Sequence, residues 1–307
     1  MYYTLHQLKV FLTIAQYKSI TKAAEAMHLT QPAVSIQLKN LQAQFAIPLT
    51  EVVGRQLYVT EFGREIERAA EKILNEVHEI NYKSLSYRGL LAGRLNISIV
   101  STGKYVMPYF LSGFMTEHPG IELMMDVTNK TRVVENLSRN EVDFAMVSVL
   151  PKNLDIDTVP LMENKLYFVA GARVDLTETR DEETLLKEFP LIYREAGSAT
   201  RNAMENYIAH KRLPVRKKLE LTSNEAVKQA VVAGLGCSIM PLIGIKNELR
   251  NKELQIIPMK DLPISTRWNL VWLKAKKLSP AAKAFLEFIQ EEKEEVIQEN
   301  FNWISDY

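Results

Sequence analysis

Leu5, Leu8, Leu12 and Ala15 recur at three- and four-residue steps, the spacing of one helix face. Ala23, Ala24 and Met27 give a second, shorter helix, and Val34, Leu38 and Leu41 a third, at i, i+4 and i+7. Thr30 is placed to cap that third helix, with Pro32 in its first turn, where the missing N–H costs nothing. "GRQLYVTEFG" then reads as a small β-hairpin. A long helix is predicted from about Phe62 to Tyr87, in which Ile66, Ala70, Ile73, Val77 and Ile80 step by four and three in alternation. That is a seam of about two heptads, too short to fold alone and suited to pairing with a twin. The plainer alternative is a helix packed on its own domain.

From Gly93 the pattern changes. "RLNISIV", "IELMMDV" and "VDFAMVSV" read as strands separated by the helices "YVMPYFLSGFMTEH" and "TRVVENLSRN". A second set follows, with the strands "KLYFVAG", "PLIYRE", "KKLELT" and "CSIMP" around the helices "TRNAMENYIAHK" and "NEAVKQAVVAG". Strands alternating with helices of about ten residues imply parallel sheets built from crossover units. Two such sets, joined near residues 150–165 and again near 260–270, predict two α/β lobes with a cleft between them. "RWNLVWL" and the helix after Pro280 return to the first lobe.

Composition narrows the class without deciding it. A chain of 307 residues, 47% hydrophobic and 24% charged, is an ordinary globular protein of two or three domains. The net charge of +1 hides a local bias: residues 1–60 hold Lys9, Lys18, Lys22, Lys39 and Arg55 against Glu25 and Glu51. A basic first domain on a neutral-to-acidic body favours a polyanion partner at that end. The lone Cys237 forms no intrachain disulfide, and its predicted buried strand gives it a packing role rather than a redox one. No leader-like stretch and no run of about 18 apolar residues is present, so a cytoplasmic protein that does not enter the membrane is expected. The five histidines lie far apart with no metal-ligand spacing on one helix, and neither metal nor cofactor is expected.

Helix, sharp corner, helix is the unit whose second helix enters the major groove of DNA. With Val34, Leu38 and Leu41 inward, Gln31, Ser35 and Lys39 face out, with Pro32 and Ile36 beside them. Gln can pair twice with adenine, Ser can reach base edges or phosphate, and Ile36 can touch a thymine methyl. Lys39 and Thr30 are placed to grip phosphates. Any surface helix shows polar residues, so spacing alone leaves the alternative of a plain solvated face open.

The stretch "SITKAAEAMHLTQPAVSIQLKNLQAQFAIPLTEVVGRQLYVTEFG" closely resembles the N-terminal domain of the LysR-type transcriptional regulators. The matching pieces are Ala23–Ala24, "LTQPAVS", "IPL", Gly54–Arg55 and the Thr60–Gly63 pair. The resemblance extends over the whole chain and implies an α/β fold in three parts. These are a winged helix-turn-helix over 1–61, a linker dimerisation helix over 62–90, and a two-lobed periplasmic-binding-protein-like effector domain over 91–307. Lobe I takes about 91–163 and 267–307, and lobe II about 164–266. It also implies a homodimer or homotetramer on double-stranded promoter DNA, answering to a small-molecule effector. Arg55 would sit in the wing, reaching the minor groove or the backbone. Ile36 replaces the family's usual arginine and Thr50-Glu51-Val52 its Phe-Glu-Arg run, so base reading is expected to lean on Gln31, Ser35 and Arg55.

A cleft ligand is expected outside the carboxyl ends of the strands, where helix N-termini and hydroxyls converge. The candidates are Ser101 and Thr102, Asn129 and Thr131, Ser148, and Ser198 and Thr200. The resemblance places Ser101, Thr131, Ser148 and Ser198 near positions that hold effectors in the family. N-capping explains each hydroxyl individually, and only convergence on one cleft favours a ligand, an anionic one. Lys104 and Arg201 are further candidates for positive charge. The rival class is a ligand-binding or catalytic α/β protein with an appended helical module. No nucleophile elbow, phosphate loop or dinucleotide fingerprint supports catalysis.

Overall fold

The computed structural model describes residues 2–54, 56–86, 90–174, 189–213 and 218–307, the side chains of 79, 81, 83–86 and 218 excepted. It divides into two compact units, Met1–Leu90 and Leu91–Tyr307.

The first unit opens with α1 (Leu5–Tyr17), held at its start by a reciprocal cap. Gln7 N donates to Thr4 Oγ1 at 3.2 Å and Thr4 N to Gln7 Oε1 at 2.9 Å. Lys18 ends the helix in the left-handed region, which sets the corner into α2 (Ile20–Ala26). α3 (Gln31–Gln42) follows, and Phe11, Ile14, Val34, Leu41 and Leu49 close the core between the three.

β1 (Thr50–Val53) and β2 (Gln56–Val59) pair antiparallel, Thr50 opposite Val59. The hairpin therefore starts earlier than the sequence suggests. Gly54, at φ +64, belongs to its turn rather than its first strand, and Glu61 already belongs to α4 (Glu61–Ser86). Gly63 N donates to Thr60 Oγ1 at 2.9 Å, and that hydroxyl donates to Pro48 O at 2.6 Å. Gly63 is required here, because a Cβ would lie 2.0 Å from Leu49 O.

In the second unit β3 (Ala92–Val100) pairs in parallel with β4 (Gly120–Thr128) and β5 (Phe144–Val147). α5 (Met107–Glu117) and α6 (Lys130–Ser138) make the crossovers. The lobes are joined by β6 (Ile156–Gly171) and β11 (Ile264–Leu273), an antiparallel pair that runs through both. A register shift between Arg267 and Asn269 bulges β11 at Trp268, which is fully buried in the first lobe's core.

The second lobe adds β7 (Leu191–Arg194), α7 (Ala199–Lys211), β8 (Lys218–Leu221), α8 (Asn224–Val232), β9 (Ser238–Pro241), α9 (Lys246–Arg250) and β10 (Leu254–Ile256). The expectation of two parallel sheets is corrected here. β9 and β10 both meet β6 antiparallel, so one seven-stranded sheet passes through both lobes, and among the described strands of the second lobe only the small β7–β8 pair forms a parallel ladder. β6 has 16 residues, long enough to serve both lobes, so the lobe boundary falls within strands rather than in linkers.

α10 (Pro280–Phe301) returns to the first lobe, where Phe285 and Ile289 join its core. The 3-10 turn that follows it, Asn302–Asp306, reaches the other lobe. Trp303 and Ile304 pack on the second lobe's cluster around Tyr167 and Val169, and Lys165 Nζ donates to Tyr307 O at 3.2 Å.

Candidate DNA-reading helix and effector cleft

Thr30 caps α3 by accepting from Ala33 N at 3.4 Å, and the three apolar positions Val34, Leu38 and Leu41 are buried. The opposite face is free: Gln31, Pro32, Ile36 and Lys39 are exposed and Ser35 half-buried. Ile36 is 56% exposed, a large apolar side chain offered to solvent beside amides and a hydroxyl. Gln31, Ser35 and Lys39 have no side-chain partner among the described residues, so their donors and acceptors remain available. Arg55 lies outside the described residues, and the exposed Val52 and Val53 are what the structure shows of the wing near it.

The seam of α4 divides in two. Ala70, 1% exposed, sits in the core of its own unit, and Ile66 packs against that core. These two are a correction to the expected pairing face, because α4 closes the three-helix core by packing on α1. Farther along, Ile73 and Ile80 are 39% and 65% exposed and Val77 is half-buried.

A cavity of about 530 Å³ opens between the lobes of the second unit. The first lobe contributes Thr102, Lys130 and Ser148, and the second lobe Thr200 with the amides of Asn202 and Asn206. Lys130 opens α6 at this cavity, and α7 lays one side along it from Ala199 to His210, so a lysine and a row of polar side chains face the same space. Leu166, Ala203, Tyr207 and Ile264 line an apolar side, so the site is part anion seat and part greasy wall.

The other candidates are not in its lining. Ser101 Oγ accepts from Arg194 Nη2 at 3.1 Å and from Asn224 Nδ2 at 3.4 Å, tying the first lobe to the second. Asn129 caps α6, accepting from Arg132 N at 3.1 Å. Ser198 caps α7 through Arg201 N at 3.5 Å. Thr131 faces Gly197, where an added Cβ would lie 2.6 Å from its hydroxyl; at φ +85 that residue has to be glycine to let the lobes approach. Arg201 is spent on Glu205 and Glu220, at 2.9 and 2.8 Å, and its hydrogen bonds to them raise its pKa further. Lys104 lines a different cavity.

Lys130, Asn164 and Thr266 are lining residues that the sequence reading passed over. Lys130 was within reach, since it lies between the candidates Asn129 and Thr131. Asn164 and Thr266 were not, because their meeting depends on the β6–β11 register. Asn164 Nδ2 donates to Thr266 Oγ1 at 3.0 Å, and its Oδ1 is buried without a partner among the described residues. Cys237 is 1% exposed and burial pushes its thiol up to about 12, so it stays a neutral packing group. Among the described residues no cluster fit to hold a metal occurs, and no helix is long and apolar enough to cross a membrane.

A winged helix-turn-helix with a free polar helix face, and a separate two-lobed domain with a cavity part polar and part apolar between its lobes, together define a ligand-responsive DNA-binding protein. Comparison with known proteins gives the family. Residues 5–64 match the bacterial regulatory helix-turn-helix protein of the lysR family, and residues 88–294 the LysR substrate binding domain. The HTH-type transcriptional activator CmpR of Synechocystis sp. (strain ATCC 27184 / PCC 6803 / Kazusa) is 37% identical over 93% of this chain and 94% of that protein. The Synechocystis PCC6803 CcmR regulatory domain, solved in complex with 2-PG, is 33% identical over 64% of this chain and 95% of its own, with a TM-score of 0.60. Full-length CbnR, solved with its target DNA, shares the fold at a TM-score of 0.72 and 19% identity, covering 94% of this chain and 99% of its own. The chain belongs to the LysR family: it is a DNA-binding transcriptional regulator with a small-molecule effector domain, and not an enzyme.

Proposed function

We propose that this regulator binds a small phosphorylated or carboxylated metabolite in the inter-lobe cavity and works in the cytoplasm as a homodimer or homotetramer on promoter DNA. The observation that carries the effector reading is convergence. Thr102, Lys130, Ser148 and Thr200 come from four separate chain segments in two lobes and meet on one cavity of about 530 Å³. Capping accounts for a hydroxyl at one helix start, but not for four polar groups from separate segments lining the same space. The CcmR regulatory domain, similar over most of this unit, is solved with 2-PG, an anion of the class this lining suits.

On the DNA side, Gln31 and Ser35 read bases, Lys39 and Thr30 hold phosphates, Pro32 and Ile36 make apolar contact, and Arg55 serves the wing. The apolar Ile73, Val77 and Ile80 supply the pairing face, which leaves Ile73 and Ile80 exposed and Val77 half-buried in a single chain.

The test is a thermal-shift titration of the full chain with 2-PG. One ligand bound only to the folded state at a hundred times its Kd stabilises by about 2.7 kcal/mol. Wild type should show a saturable rise in Tm that Lys130→Ala and the pair Thr102→Ala with Thr200→Ala reduce or abolish. A full rise in those variants places the anion elsewhere.

A further inference from the structure

A second cavity, of about 440 Å³, shares no lining residue with the effector cleft. Its walls again come from both lobes. Lys104 and Tyr109 belong to the first lobe, Lys228 and Lys246 to the second, and Trp303 to the turn that closes α10.

The three lysines are not equivalent. Lys228 is 8% exposed and already neutralised, by Glu225 at 3.0 Å and Glu248 at 2.7 Å. Lys104 and Lys246 have no carboxylate partner among the described residues. Each rests over an aromatic face instead: Lys104 Nζ lies 4.9 Å from the Tyr105 ring centroid and Lys246 Nζ 4.5 Å from that of Trp303. A ring face attracts a cation more weakly than a carboxylate does where water still reaches the charge. Glu225 and Glu248 are the carboxylates at this place, both paired with Lys228; Glu225 also feels Lys104 at longer range, whereas Arg250 adds a further positive charge beside Lys246. Burial first and Arg250 second hold the Lys246 ammonium below its ordinary pKa, the direction expected where positive charge is undercompensated.

We propose that this cavity is a second anion site, taking a small doubly charged anion such as a phosphate monoester or dicarboxylate between Lys104 and Lys246. Two ammonium groups on opposite lobes, neither in an ion pair among the described residues, match two negative charges, and Tyr109 and Trp303 give the remainder of an organic anion an apolar wall. Because one lysine belongs to each lobe, an anion held by both favours the arrangement in which the lobes are together. The turn Gly103–Tyr105 links the two cavities: Thr102 just before it lines the effector cleft, and Lys104 within it lines the second site. Gly103 is packed tightly, 3.1 Å from Met146 Sδ to the position of an added Cβ, so the turn has little room to move independently. Occupancy of the second site is then coupled to the cleft in the same sense. That coupling rests on the effector reading above, whereas the site itself does not.

The experiment uses the full chain, with inorganic phosphate and succinate as probes and tryptophan fluorescence, to which Trp303 contributes, as the signal. Both probes are expected to give a saturable change that Lys104→Gln with Lys246→Gln weakens by about tenfold or more. Thr102→Ala with Thr200→Ala is expected to leave it in place. No saturable change with either probe, or a change that the lysine substitutions leave untouched, overturns the site. Loss of the signal in the cleft variant alone assigns the anion to the cleft and overturns it equally. Failure of 2-PG to bind removes the coupling and the effector reading, and leaves the fluorescence result standing on its own.

Discussion

Gln31 and Lys39 lie on one exposed face of α3, yet their removal should be felt differently. Gln31→Ala and Ser35→Ala each delete groups that discriminate between base edges, so specific binding should weaken by about 1–3 kcal/mol while binding to random duplex hardly changes. Lys39→Ala deletes a phosphate contact, so all sequences should be bound less well and the slope of log affinity against log salt should fall by about one. Fluorescence anisotropy on operator and random duplex at several salt concentrations separates the two. Equal losses for all three variants on both duplexes mean that this face does not read bases. At this scale the recognition helix was legible because periodicity assigns each residue of a short helix to one face or the other. The cleft was legible only in part. Hydroxyls before helices mark where N–H groups need an acceptor, and Ser198 and Asn129 satisfy that need locally, while Thr102 and Thr200 are the ones that line the cavity. Nothing in one-dimensional spacing separates a cap from a ligand contact.

Helices with side-chain caps at their starts appeared where periodicity placed them, since both signals are local. The hairpin was misplaced because "GRQLYVTEFG" contains its turn and second strand but not its first strand, and the exposed run Thr50–Val53 carries no alternating burial to reveal it. The heptad pattern on α4 overreached for a different reason. A three- and four-residue step describes any buried helical stripe, and it does not say whether the partner is a twin chain or the helix's own domain. The structure gives the near half of the stripe to the domain, which makes a sharp comparison possible. Ile80→Glu, at a position 65% exposed, should leave the circular dichroism and thermal stability of the chain nearly unchanged while lowering the sedimenting mass. Ala70→Glu, at a position 1% exposed, should instead cost about 3 kcal/mol or more of stability, because a carboxylate has no partner in that core. An unchanged mass for Ile80→Glu removes α4 from the oligomer contact.

At the scale of the whole chain, the two-lobed design was legible from the alternation of strands and helices, and the continuity between lobes was not. Antiparallel pairing along β6 and β11 is a long-range register, fixed by packing and by the bulge at Trp268 rather than by any local pattern. The consequence is mechanical. Asn164 and Thr266 lie on the strands that carry the lobes, so a ligand touching them acts on the elements about which the lobes reorient. If the anion and the operator each favour one of two arrangements of the protein, their bindings are linked, and linkage is reciprocal. The factor by which saturating 2-PG changes the Kd for operator DNA must equal the factor by which operator DNA changes the Kd for 2-PG. Couplings of this kind run to about 5- to 150-fold. Calorimetric titration of 2-PG with and without bound operator, set against anisotropy titration of the operator with and without 2-PG, measures the two factors independently. Equal factors different from one are the expected result. Factors of one on both sides, with 2-PG still binding, mean that the anion occupies the cavity without distinguishing the arrangements, and then it is a passenger rather than the effector.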